Sequence, residues 1–339
     1  MTNKEFKKYR KNALKEIHYQ HVYSDGVIET EQGYFTKSYF CCAGIMSLFD
    51  FIYNLHAAQK NSGYSYSIDT ELTYYNKAYY LTIGTDSISY DEALRLFTAI
   101  DFLPEVKPMP FMDRMNLLHA MYQNEDSVEE RYNKYGIRKK DVTVPSDFAL
   151  CMKNFKKNGK CSKDLVLPFE MKTRPTEMEF EGNYVRFFYL KNMPRYLTKE
   201  FMEDLMFVDN VLFSIHLKPL SQKAIADYAE IKFESLKDLK DTELLQKQFF
   251  EAAVPELRKS EKRNELMFLT TLVLGIPDDS IDELDEIFAR LVRKLEETYV
   301  LKELKFQQKD ALRTILPFCD EKLDIQTTIY KMRETGGAK

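Results

Sequence analysis

Hydrophobic and polar positions alternate in two clear modes along this chain. Residues 27–31 and 34–41 are β-rich runs on either side of a Gln32-Gly33 turn, which predicts a hairpin. Ile45, Leu48, Phe49, Ile52 and Leu55 recur at helical spacing and predict an amphipathic helix ending before Asn61-Ser62-Gly63. Strands are expected at 66–72 and 78–84, hinged at Tyr75-Asn76-Lys77. Ser89 with Glu92 three residues on has capping-box spacing and opens a helix whose inward stripe is Leu94, Phe97 and Ile100. Pro104, Pro108 and Pro110 then interrupt the pattern, because closely spaced prolines continue neither a helix nor a central strand. Shorter helical patches follow at 111–122 and 125–135.

The second half reads more clearly. Residues 176–180 and 184–190 form a hairpin across Glu181-Gly182-Asn183, Thr198 caps a helix to Phe207, and 211–217 is a strand stopped by Pro219. Residues 221–250 and 255–263 are charged and helical. The continuous apolar run 266–274 is of the type expected for a strand covered on both faces. Ser280 and Glu283 open a helix with Leu284, Ile287, Leu291 and Leu295 inward, before a strand at 300–306 and a helix through Ala311 and Leu312 to Pro317. With the helical insert set aside, the order is β-α-β-β-α-β, the split or ferredoxin-like arrangement, and the first half shows most of it. The expected fold is therefore α+β: two ferredoxin-like (βαββαβ-type) lobes, the second carrying a long helical insertion. The expected organisation is a basic helical segment (1–24), a first lobe (25–135), a lysine- and proline-containing connection (136–175), a second lobe (176–330) with its insert at 221–263, and a tail (331–339).

Composition narrows the function classes. At 339 residues, 44% hydrophobic and 30% charged, the chain has ample material for real cores. Its net charge of −4 lacks the basic excess of a dedicated duplex-DNA binder. Five scattered cysteines do not make a disulfide framework and fit free thiols in a reducing compartment. No signal-peptide pattern follows the basic N-terminus, and the run from Leu266 to Pro277 is far shorter than the ~18–20 residues of a membrane span.

Candidate chemistry is sparse. The one Gly-Lys pair, Gly159-Lys160, has Asn154 where a phosphate loop needs its first glycine and Cys161 where it needs Ser or Thr, so no nucleotide loop is encoded there. His18 and His21 have spacing for one helical face, but Cys41 and Cys42 are neighbours that point to opposite sides of a strand, so surface histidines are the simpler reading. Cys151 and Cys161 flank a lysine-rich loop that would lower a thiol pKa, with no histidine nearby in sequence to serve as base. His56 falls on an inward stripe and reads as a packed core residue. The acidic run Asp278, Asp279, Asp282, Glu283, Asp285 and Glu286 lacks the glycine and ligand alternation of a calcium loop; a helix start, where anions favour the dipole, accounts for it. The aromatic strand at 184–190 is only faintly like an RNA-stacking strand. No catalytic, cofactor-binding or metal-binding residue is assigned from the sequence.

Three stretches taken together resemble one family. They are Asp25-Gly-Val-Ile-Glu-Thr-Glu-Gln-Gly-Tyr-Phe-Thr-Lys-Ser-Tyr-Phe40, Tyr184-Val-Arg-Phe-Phe-Tyr-Leu-Lys-Asn-Met-Pro-Arg-Tyr-Leu197, and Leu304-Lys-Phe-Gln-Gln-Lys-Asp-Ala-Leu-Arg-Thr-Ile-Leu-Pro-Phe318. In order and spacing they are similar to the N-terminal, non-motor region of the conjugative type IV secretion ATPases, the CagE/TrbE/VirB family, in its Gram-positive conjugative-element branch. The likeness spans roughly residues 25–328. It implies a docking domain without the Walker lysine, with ATP and Mg bound only in a motor domain that would follow. The implied partners are inner-membrane secretion subunits, the motor domain and other copies of the chain, with no direct nucleic acid and membrane association through partners alone. The implied location is the cytoplasmic side of the cell membrane. The alternative from another class is a stand-alone adaptor or single-stranded nucleic-acid-binding protein on tandem ferredoxin-like lobes, and an enzyme using Cys151 or Cys161 ranks behind both.

Overall fold

Two tight hairpins show how local chemistry sets the register of this α+β protein. In the computed structural model, Asn76 and Lys77 both have positive φ (47° and 60°) between paired Tyr75 and Ala78, the two-residue turn whose twist matches flanking strands. Glu181 and Gly182 (φ 50° and 101°) do the same between Phe180 and Asn183. The structure describes residues 3–62, 67–86, 89–123, 128–132, 160–191, 197–221, 223–227, 266–295, 299–323 and 328–330, with single positions at 153, 156, 157, 230 and 325. Most of the expected connection before 160 and nearly all of the expected insert 221–263 lie outside them.

The first half runs α1 (Asn3–Ala13), β1 (Tyr19–Val22), β2 (Ile28–Thr30), β3 (Phe35–Cys41), α2 (Ile45–Ser62), β4 (Ile68–Tyr75), β5 (Ala78–Thr85), α3 (Tyr90–Asp101), β6 (Val106–Pro108), α4 (Phe111–Met121) and α5 (Val128–Tyr132). Then come α6 (Lys163–Val166), β7 (Met171–Thr173), β8 (Glu177–Phe180), β9 (Asn183–Leu190), α7 (Lys199–Leu205), β10 (Leu212–Pro219), β11 (Phe268–Asp278), α8 (Ile281–Leu295), β12 (Leu301–Glu303), α9 (Gln308–Ile315) and β13 (Thr328–Tyr330).

The described strands join in one antiparallel sheet of order β1-β2-β3-β5-β4-β10-β11-β9-β8-β7, with β6 on β3, β12 on β9 and β13 on β11. Within it the first half is ordered β6-β3-β5-β4 and the second β12-β9-β11-β10. Each is fourth, first, third, second in chain order. The order of elements from β1 to α4, with three strands, a helix, two strands, a helix, a strand and a helix, recurs from β7 to α9 when the short α5 and α6 are set aside. The halves meet where β4 pairs β10, so they share a sheet instead of facing each other across a linker.

Both faces of the sheet are covered. On one, Leu48, Phe49 and Ile52 of α2, Phe97 of α3, Phe201 of α7 and Leu291 of α8 pack on Leu72, Ile83, Ile215 and Leu272. On the other, Met115 and Leu118 of α4 and Leu312 and Ile315 of α9 pack with Tyr19, Phe180, Phe187 and Val273. Each such fully buried side chain stabilises the fold by roughly 1.5–3 kcal/mol. Ser89 and Thr198 cap α3 and α7 by accepting the amides of Glu92 (3.3 Å) and Phe201 (3.2 Å).

Several elements differ from the sequence expectation. The proline-rich segment supplies a three-residue strand, β6, tolerated because it pairs with β3 alone at an edge where proline's missing donor costs nothing. The N-terminal segment contributes strand β1 besides its helix. Within the expected connection, Leu165 and Val166 are fully buried, so its later part belongs to the packed body. On α3 the inward position is Ala93, not Leu94.

Candidate functional site

A buried group of ionisable and hydroxyl side chains lies at the junction of the halves. Strand alternation sends Leu72 and Tyr74 of β4, and Phe213, Ile215 and Leu217 of β10, to one face. It leaves Glu71 and Thr73, and Ser214 and His216, on the other. Register places His216 opposite Glu71 and Ser214 opposite Thr73. All four are buried, Glu71 completely.

Their hydrogen bonds fix their chemistry. His216 Nε2 is 2.6 Å from the Thr314 carbonyl, so this nitrogen carries a proton and donates it. Ser214 Oγ lies 2.9 Å from the same nitrogen and donates to the Thr314 carbonyl at 3.1 Å. The imidazole nitrogen that Ser214 meets is therefore a donor and not a base for its hydroxyl. Glu71 Oε2 accepts the Cys319 amide at 2.8 Å, while its Oε1 accepts the Thr73 hydroxyl at 3.2 Å and stands 4.0 Å from His216 Nε2. Burial raises the Glu71 pKa above the ordinary carboxylate value, against the pull of His216, the Cys319 amide and the hydroxyls. The Cys319 thiol is driven well above its ordinary pKa by burial and by the Glu71 and Asp69 carboxylates. A protonated, enclosed thiol held on the Asp69 and Thr82 carbonyls is a structural tie, not a nucleophile.

Arg114 of α4 completes this tie. Its guanidinium is fully buried and donates from Nη1 to the carbonyls of Gly26 (2.7 Å) and Thr36 (2.6 Å). From Nη2 it donates to Thr36 Oγ1 (2.8 Å) and the Pro317 carbonyl (3.0 Å). One side chain thus joins the first hairpin to the segment after α9.

A second, open feature is a cleft of about 460 Å³ lined by Tyr75, Asn76, Gln123, Asn183, Asn210 and the end of β11. Of the expected acidic run, Asp278, Asp279 and Glu283 come together here, with carboxylate oxygens within 4.8 Å of one another. Crowding by Asp278 and Asp279 raises the Glu283 pKa. Asp285 points elsewhere, onto Arg186. The Glu283 amide is capped by Ser280 Oγ at 3.4 Å, so the acids sit at the positive end of α8, as the helix-start reading expects.

The other sequence candidates are dispersed. His18 bonds Glu31 Oε2 at 3.3 Å just before β1, and His21 lies within β1 against the Tyr23 ring, so the two do not share a helical face. Cys41 is half-buried, with its thiol pushed up to about 12 by burial, and Cys42 is exposed. Cys161 corrects an expectation: its pKa is raised, by burial and by Asp164, where a lysine-rich loop was expected to lower it. Cys151, Asn154 and Gly159 lie outside the described residues. His56 is the core residue expected, bonded to Thr70 Oγ1 at 3.2 Å and held neutral by burial, its pKa lowered to about 3. In the aromatic strand, Phe187 and Phe188 are buried on opposite faces, and Phe188 stacks on Phe288 with centroids 4.6 Å apart, so these rings are occupied by packing.

Sequence reasoning missed Glu71, His216, Arg114 and Cys319. The available signal was a charged residue in the middle of Ile68-Asp-Thr-Glu-Leu-Thr-Tyr-Tyr75, between Thr70 and Thr73, and a histidine two residues after Ser214 in Leu212-Phe-Ser-Ile-His-Leu217. Among the described residues no helix is long and apolar enough to cross a membrane. No family model matches this chain, and no curated protein matches it either.

Proposed function

We propose that this chain is a non-catalytic assembly domain of a conjugative type IV secretion ATPase, built on two ferredoxin-like lobes. It holds a motor domain to inner-membrane channel subunits at the cytoplasmic face of the membrane. The observation that carries the reading is that the third of the stretches resembling that family is tied to both others, to the first through Arg114 and to the second directly. Arg114 bonds Gly26 and Thr36 of the first and Pro317 of the third. The Leu304 amide, at the start of the third, donates to the Phe187 carbonyl of the second at 3.0 Å. Residues chosen for likeness in sequence alone thus belong to one bonded framework, as a shared scaffold requires. The ferredoxin-like assignment is supported by the fourth-first-third-second strand order in both halves.

A docking role is also favoured by how the polar groups are used. Glu71, His216 and Arg114 are committed to internal bonds, while Phe102, Phe207 and Phe306 are exposed apolar side chains suited to protein contact. The test begins with the DNA downstream of these codons, in any frame, where a G-x-x-x-x-G-K-[ST] motor and transfer genes are expected. The purified chain, titrated calorimetrically with that motor domain and with the membrane subunits of the same cluster, should bind at least one saturably. The reading fails if no such motor is encoded or if none of these proteins binds.

A further inference from the structure

The stretch from Thr314, in the last turn of α9, to Leu323 crosses the junction of the halves and touches both. From the first half it takes the Arg114 guanidinium on the Pro317 carbonyl, and it gives the Cys319 amide to Glu71 and the Cys319 thiol to the Thr82 carbonyl at 3.5 Å. From the second half it takes His216 and Ser214 on the Thr314 carbonyl, the Thr271 hydroxyl on Glu321, and the Lys218 ammonium at 3.2 Å from Glu321. Leu316 and Phe318 anchor it in the apolar cluster alongside.

Three features set this segment apart from the rest of the core. First, Cys319 has φ +53°, a left-handed conformation unfavourable for a non-glycine residue, so closure strains the backbone. Second, Cys319 closes against a strand that has no side chain at the point of contact: a Cβ at Gly84 would lie 2.8 Å from the Cys319 Cβ. Third, the sheet face beneath the segment is polar. Glu71, Thr73, Ser214, His216 and Thr271 would be hydrated if uncovered, whereas the opposite face of the same strands is mostly apolar. The segment is tethered at both ends, by α9 before it and by β13 pairing with β11 after it, so it is able to lift as an arch.

We propose that residues 314–323 form a releasable strap, which locks the two halves in register when closed and opens as a local unit, without global unfolding, to expose the Glu71–His216 face of the sheet. Proteins open in local units at less than the global cost; the left-handed Cys319 and contacts that water can replace lower that cost here, against the burial of Leu316 and Phe318.

The strap carries its own reporter. A Leu72→Cys variant of the full chain places a second thiol on β4, on the opposite, apolar face of the same junction. Labelling of both thiols by iodoacetamide below the urea transition is followed by peptide mass spectrometry, each rate normalised to that in denatured protein. Cys319 should react at least tenfold faster than the introduced thiol, with little dependence on urea. Adding Gly84→Ala, which puts a methyl group where Cys319 seats, should raise the Cys319 rate by a further tenfold or more and leave the other within about threefold. Equal rates at every urea concentration, or equal acceleration of both by Gly84→Ala, would overturn the proposal. If either variant does not fold, amide hydrogen exchange of the unaltered chain decides. Cys319 and Lys322 amides exchanging at least tenfold faster than those of Leu72 and Ile215 support the strap, and equal protection rejects it.

Discussion

Replacing Arg114 with methionine keeps most of the side-chain volume but removes every hydrogen bond the guanidinium donates. Four acceptors lose it: the carbonyls of Gly26, Thr36 and Pro317, and Thr36 Oγ1. Thr36 Oγ1 keeps its own donated bond to the Ile28 carbonyl at 3.3 Å, so its loss is partial. A buried acceptor left unpaired costs about 1–3 kcal/mol, and the summed penalty is offset in part because methionine no longer forces a cation out of water. Three buried carbonyls left without the guanidinium, less that offset, put the expected net loss at about 3 kcal/mol. It would consume a large share of the ~5–15 kcal/mol by which a domain is stable. Urea unfolding at pH 7 followed by far-ultraviolet circular dichroism should show the midpoint falling with the slope unchanged. Arg114→Lys, which keeps the charge but offers three donors on a flexible stem, should fall between the two. A loss below about 1 kcal/mol in the methionine variant would refute the view that this guanidinium ties the first hairpin to the strap.

Two further outcomes follow from single residues. His56 is buried with its pKa lowered to about 3, against an ordinary value of 6.5, so the unfolded chain binds the proton more readily. Its contribution is complete above pH 6.5 and is lost as the pH falls toward 3, by about 2–3 kcal/mol between pH 6.5 and 4.5. His56→Met should flatten that part of the stability–pH curve, and a curve parallel to the parent's would rule out His56 as its source. Gly26 combines φ +82° with a site where a Cβ would meet the Met109 carbonyl oxygen at 2.5 Å. Gly26→Ala should therefore cost about 2 kcal/mol or more in the same urea assay, while Gly33→Ala, with positive φ but open space, should cost about 1.

How much was legible divides along the range of the interaction concerned. The Ser89 and Thr198 caps, the hairpin turns at Asn76 and Gly182 and the buried run from Leu272 to Leu274 were visible because each is decided by residues a few positions apart. The edge strand Val106–Pro108 was not, because proline content argues against a strand and only an available edge on β3 overrides it. The burial of Glu71 was hidden for a different reason. In an isolated strand the alternation of Asp69, Glu71 and Thr73 with Ile68, Leu72 and Tyr74 predicts one wet face, and nothing nearby in sequence says that the wet face will be covered.

By itself, then, the chain's order of residues determined most of the helices, the central strands and the hairpin turns, since turn chemistry, caps and periodicity act locally. Only the tertiary structure decided that β4 and β10 join the halves into one sheet, that His216 lies across from Glu71, and that residues 314–323 close over both. Those choices rest on partners 98 residues apart for His216 and Thr314, 203 for Arg114 and Pro317, and 248 for Glu71 and Cys319. At such separations a residue's type states what it needs, a hydrogen-bond partner or a dry surface. Which distant group supplies it is settled when the apolar faces pack and the remaining polar atoms have to find one another.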